Sequence, residues 1–155
     1  MKVPSPATRR KTRVRFDAAN PAMTVFKTRY WKSRMVYVLR ADKSIRYKKG
    51  RSRIVYIGET KRGTRRPAGS AASKAMRTFG VLPGIRRIDV HPLTFQGIQS
   101  VRMWEILERD LLAMFKVAHG EIPFYSRQGK GKKFSIDRIR YFRKSRLEKV
   151  ITLLS

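Results

Sequence analysis

The chain contains no cysteine, only two histidines, and 10 acidic residues against 38 Lys+Arg in 155 residues. The missing cysteine excludes disulfide staples, thiolate-bound zinc and thiol chemistry. His91 precedes Pro92 and His119 precedes Gly120; two isolated imidazoles make no zinc site. No apolar run approaches the roughly 20 residues of a membrane-spanning helix, so no membrane partner is expected. The first residues lack the apolar core of a secretory signal. The shortage of acids leaves a formal net charge of +28. A field of that size repels itself in a compact fold, and a polyanionic partner offsets the repulsion. Nucleic acid is the usual such partner.

The length suits one domain with tails. Apolar residues make up 41% of the chain, and eight Phe, six Tyr and two Trp need burial, so a normal core is expected. Residues 1–22 hold three Pro and six Lys/Arg and read as a basic arm. An organelle transit peptide would have a similar composition, so import stays open beside a cytoplasmic or nucleoid-associated location. Residues 23–127 carry the strand and helix patterns. Residues 128–155 form a basic loop and a C-terminal helix, with ten Lys/Arg and two acids between Arg127 and Lys149. The loop Gly129-Lys130-Gly131-Lys132-Lys133 lacks the spacing of a phosphate-binding P-loop. Its Lys130, Lys132 and Lys133 are expected to track a nucleic-acid backbone, as are Lys61, Arg62 and Arg65. Nothing calls for a small-molecule cofactor.

Met35 to Leu39 is a β-branched and aromatic run that predicts a strand. Ile54 to Ile57 predicts a second, stopped by Gly58, and a polar connection too long for a tight hairpin joins them. Closeness in sequence favours antiparallel pairing. A helix is expected from Pro67–Ser70 to Phe79, ending at Gly80. Ile85 to Leu93 alternates as a third strand. Val101 to Ala118 is the clearest helix, with Trp104, Leu107, Leu111, Leu112 and Phe115 at three-and-four spacing. From Ser135, a plausible cap, a last helix would carry Ile136, Ile139, Phe142, Leu147, Val150 and Leu154 on one side. The fold class is α+β: a small antiparallel sheet of about three strands flanked by helices.

Met35-Val36-Tyr37 and Tyr56-Ile57-Gly58 are the informative segments. Arg66 lies eight residues after Gly58, and Ile106-Leu107-Glu108 sits in the long helix beyond the third strand. In this order the residues resemble the GIY-YIG nuclease family over about residues 34–127. The second motif is intact; the first keeps its tyrosine and loses its glycine. Glu59 stands where several members have lysine, Pro67 directly follows the arginine, and Ser126 replaces an asparagine that often follows the proline after the glutamate helix. The resemblance implies a metal-dependent endonuclease. Tyr37 and Tyr56 would be catalytic, Tyr56 near the nucleophilic water. Arg66 would hold the scissile phosphate, and Glu108 would bind one Mg2+ or Mn2+. DNA is the expected substrate ahead of RNA.

The residues also admit a plainer account. The tyrosines could be strand residues with buried rings, and Arg66 is one of 38 cations. Glu108 lies among Trp104, Leu111, Leu112 and Phe115 at helical spacing, where a carboxylate is costly unless paired or metal-bound. An Arg66–Glu108 salt bridge would satisfy it without a metal. Glu105 is better explained as a solvated ion pair with Arg102 or Arg109. The rival to the nuclease is a non-catalytic nucleic-acid-binding protein, ribosomal or architectural.

Overall fold

The computed structural model describes residue 19 and residues 34–61, 65–95, 102–126 and 134–155, and of residues 65–68 only the backbone. The expected arm lies almost wholly outside the described residues, as do Arg62, Lys130, Lys132 and Lys133. Strands β1 (Met35–Arg46), β2 (Arg51–Thr60) and β3 (Ile88–Leu93) form one antiparallel sheet in the order β2-β1-β3. Helix α1 (Arg65–Val81) links β2 to β3. Helices α2 (Met103–His119) and α3 (Lys144–Leu154) follow. The α+β class and the three-stranded antiparallel sheet are as expected.

The β1–β2 connection is shorter than expected. Both strands run on through polar residues to Arg46 and Arg51, closed by a tight turn in which the Tyr47 N–H donates to the Gly50 carbonyl. Gly50 takes a positive φ of 74° there, which glycine adopts without strain. Half-exposed polar residues mark this hairpin end as a solvent-flanked ribbon, which an apolar-run criterion misses. Helix α1 starts two residues earlier than expected and passes through Gly80, while β3 begins at Ile88 because Ile85 closes a turn onto the Leu82 carbonyl. Pro92 is tolerated in β3 because that strand is an edge.

The expected last helix is broken. Ser135 caps a single 3-10 turn, Ile136–Arg138, by accepting from the Asp137 N–H. Ile139 is then extended, and α3 begins only at Lys144. The break lets Ile139, Phe142 and Leu147 all reach the core against α2.

The sheet carries apolar residues on both faces. Val36, Val38, Ile54 and Ile57 pack under Trp104, Leu107, Leu111, Leu112 and Phe115 of α2, with Leu147 and Ile151 of α3. Tyr37, Leu39, Ala41 and Val55 face the other way, toward Ala71 and Phe79 of α1 and toward Ile85. The register breaks between Leu39↔Tyr56 and Arg40↔Ile54, leaving Val55 as the extra residue of a bulge. A bulge turns two consecutive side chains to one side. That is how Val55 and Tyr56 both belong to the α1 face, while Ile54 and Ile57 belong to the α2 face.

Candidate active site

Strand alternation places Tyr56 on the same face as Gly58, two residues on, and Gly58 pairs across the sheet with Tyr37. The Tyr56 ring folds over Gly58, so that a Cβ there would overlap the ring carbons and Oη. The Tyr37 and Tyr56 ring centroids are 5.7 Å apart with planes tilted by 49°. The Lys74 ammonium of α1 lies 4.0 Å from the Tyr56 ring centroid. A cation over the electron-rich face of a phenol is attracted by its quadrupole. Tyr37 is only 1% exposed, and Tyr56 is half-buried. Of the two hydroxyl-bearing rings, Tyr56 is therefore the one a substrate can reach.

The outer side of β2 is covered by the segment after α2. The Tyr125 N–H donates to the Val55 carbonyl. Ser126 Oγ accepts from the Ile57 N–H at 2.9 Å and donates to the Ile57 carbonyl at 3.2 Å. Ser126 thus satisfies both backbone groups of the residue between Tyr56 and Gly58. It stands in place of the expected asparagine, and a hydroxyl can serve as both donor and acceptor.

Glu108 lies on α2, one or two turns from Trp104, Leu111, Leu112 and Phe115, all in the core on the opposite sheet face. It is half-buried and already engaged by an interaction within the fold. The structure brings Tyr37 and Tyr56 together. It sets Glu108 on the helix that covers the other side of the same strands. Both lie toward one end of the sheet: Lys61, just past β2, pairs with Glu105 of α2 at 3.8 Å. Glu105 also pairs with Arg102 at 3.7 Å, as expected. The other expected partner, Arg109, turns to Asp110 instead at 2.7 Å. Arg65 and Arg66 are the first residues of α1, and Arg66 lies eight residues before Lys74, about 12 Å along the axis.

Among the described residues no three His, Asp or Glu side chains gather as a metal-binding group. A divalent ion at Glu108 would take one carboxylate there and its remaining oxygens from water and phosphate. That donor set suits Mg2+ or Mn2+, which keep waters in phosphate sites, and not a nitrogen- or sulfur-ligated metal.

The sequence marked Trp104 only as a core residue, and it did not mark Asp110 or Lys74. Trp104 is 4% exposed, with the Arg34 guanidinium 4.7 Å and the Lys61 ammonium 5.8 Å from its ring centroid. Asp110 is 1% exposed, and its Oδ2 has no hydrogen-bond partner among the described residues. Burial raises its pKa, against the opposing effect of the Arg109 hydrogen bond and charge. Position 110 falls three residues after Leu107, so helical spacing could have flagged it. Lys74 had no comparable signal. Burial lowers the pKa of both histidines, and His119 packs against Phe115 at a centroid distance of 4.4 Å. No family model, curated protein or solved structure matches the chain.

Proposed function

We propose that this chain binds nucleic acid and hydrolyses its phosphodiester bonds, with DNA ahead of RNA as substrate, in the manner of a GIY-YIG nuclease. The observation that carries the proposal is the packing of Tyr56 across Gly58, directly opposite Tyr37. This gives the glycine of the Tyr-Ile-Gly motif a physical purpose: it is the space in which the tyrosine ring lies. Core packing alone does not require a glycine there, since larger side chains fill the neighbouring positions.

Hydrolysis needs a water held in line with the leaving oxygen, positive charge beside the phosphorane and a route for one proton. Tyr56, the accessible phenol, would relay the water's proton, taking it on Oη as its own proton passes through solvent to the leaving oxygen, since a hydroxyl both donates and accepts. Lys74 already holds positive charge beside that ring. Arg66 at the start of α1 would fork two phosphate oxygens, a geometry suited to guanidinium. Glu108, whose helix covers the opposite face, would hold a divalent ion for a phosphate reaching round the end of the sheet, where the ion would offset its charge and acidify water. With 38 cations in the chain, general backbone attraction is ample without these residues.

A second account rests on the position of Glu108, on the helix covering the face away from the tyrosines. It makes the chain a non-catalytic nucleic-acid-binding protein whose glutamate balances a neighbouring cation. The deciding test is incubation of the parent protein with supercoiled plasmid and structured RNA in Mg2+, in Mn2+ and in chelator. Metal-dependent nicking supports the hydrolase. Tight binding without nicking in either metal, across many sequences, supports the binder.

A further inference from the structure

A cavity of about 240 Å3 opens where the end of β3 meets α2 and α3. Its floor is Leu107, Leu111 and Leu147, and Phe95 and Phe142 meet edge to face in its wall at a centroid distance of 6.2 Å. Its lining includes the Tyr141 ring, 58% exposed, and the exposed Arg143 and Arg146. Among the described residues no carboxylate lines it. An occupant should therefore join a flat apolar group to negative charge. The volume is below the roughly 300–1,000 Å3 of sites for drug-sized ligands, so a single ring system is the appropriate size.

We infer that this cavity takes one unstacked base of a bound nucleic-acid strand, with the flanking phosphates on Arg143 and Arg146. The inference rests on the nucleic-acid reading above but not on catalysis. Aromatic rings accept any base face, and the lining offers few groups for reading base edges, so the site is tolerant of sequence. It would fix a strand on the α2 face of the sheet, away from the tyrosine pair.

The test compares a single-stranded oligonucleotide with an abasic strand of equal length and charge, titrated against salt. One seated base should make the parent bind the base-bearing strand about tenfold more tightly. Val150→Phe fills the cavity, and Tyr141→Ala strips its rim. Each should lose the base preference while keeping the salt dependence, with thermal melts to confirm folding. Should Val150→Phe fail to fold, the exposed Tyr141 decides. Equal affinity of the parent for both strands, or a preference that survives in the folded variants, overturns the proposal. Competition by free mononucleotide at comparable concentration would reassign the cavity and overturn the strand assignment. If neither strand binds in a salt-dependent way, the nucleic-acid reading itself has failed and takes the cavity assignment with it.

Discussion

Gly58→Ala tests the tyrosine arrangement through competing terms of known sign. Alanine in a strand interior is ordinarily favoured over glycine by about 0.5–1 kcal/mol, because it loses less backbone entropy on folding. Here the new Cβ would land on the Tyr56 ring, so the ring must leave. It would abandon the Tyr37 pair, worth about 0.5–1.5 kcal/mol, and the Lys74 cation, worth about 0.5–1 kcal/mol at a partly exposed site. The losses exceed the gain at most values, giving a net destabilisation of up to about 2 kcal/mol. In a Tyr56→Ala background the ring is absent, and Gly58→Ala should be neutral or stabilising. Urea unfolding of the parent, both single variants and the double variant closes the cycle. The predicted coupling is about 1 kcal/mol or more. An equal effect of Gly58→Ala in both backgrounds would refute the claim that the ring occupies the glycine's space.

Two further substitutions probe the surroundings. Ser126→Ala leaves the buried Ile57 N–H without its side-chain partner, costing about 1–3 kcal/mol, and thermal melting should show a drop of roughly 2–4 °C per kcal/mol for a chain of this size. An unchanged Tm would mean that water replaces the hydroxyl. Asp110→Asn tests a buried carboxylate whose pKa is raised, chiefly by burial. Because the native state resists the charged form, the carboxylate penalises folding above its folded pKa, and the penalty disappears once pH falls below the unfolded value of about 4. Asp110→Asn should therefore melt higher than the parent at pH 7, with the advantage shrinking as pH falls through the raised pKa. A variant less stable than the parent at pH 7 would show that the Arg109 pair outweighs burial.

Much of the fold was legible because its signals are local. The apolar stripe from Trp104 to Phe115 predicted a helix against a core, and the β-branched and aromatic runs at residues 35–39 and 54–57 predicted strands. The polar continuation of β1 to Arg46 was not legible, because a solvent-flanked hairpin has little hydrophobic pattern. Nor was the break before Lys144: Ile139, Phe142 and Leu147 fall near helical spacing whether or not the backbone between them is helical. At the site, the sequence order marked Tyr37, Tyr56 and Gly58, but spacing could not tell that Val55 is a bulge, and the bulge decides which face Tyr56 joins. Lys74 reaches Tyr56 only through the packing of α1, a long-range fact with no local signature. Placing Glu108 relative to the tyrosines required knowing which sheet face α2 covers.

Glu108→Gln separates cutting from binding most directly. The substitution keeps size and hydrogen bonding while removing the charge a divalent ion needs. If Glu108 holds the ion, the variant should bind DNA at least as well as the parent, since a repulsive carboxylate is gone, and its Mg2+-dependent nicking of supercoiled plasmid should fall at least a hundredfold, as loss of several kcal/mol of charge stabilisation requires. A variant that nicks as fast as the parent would contradict the account.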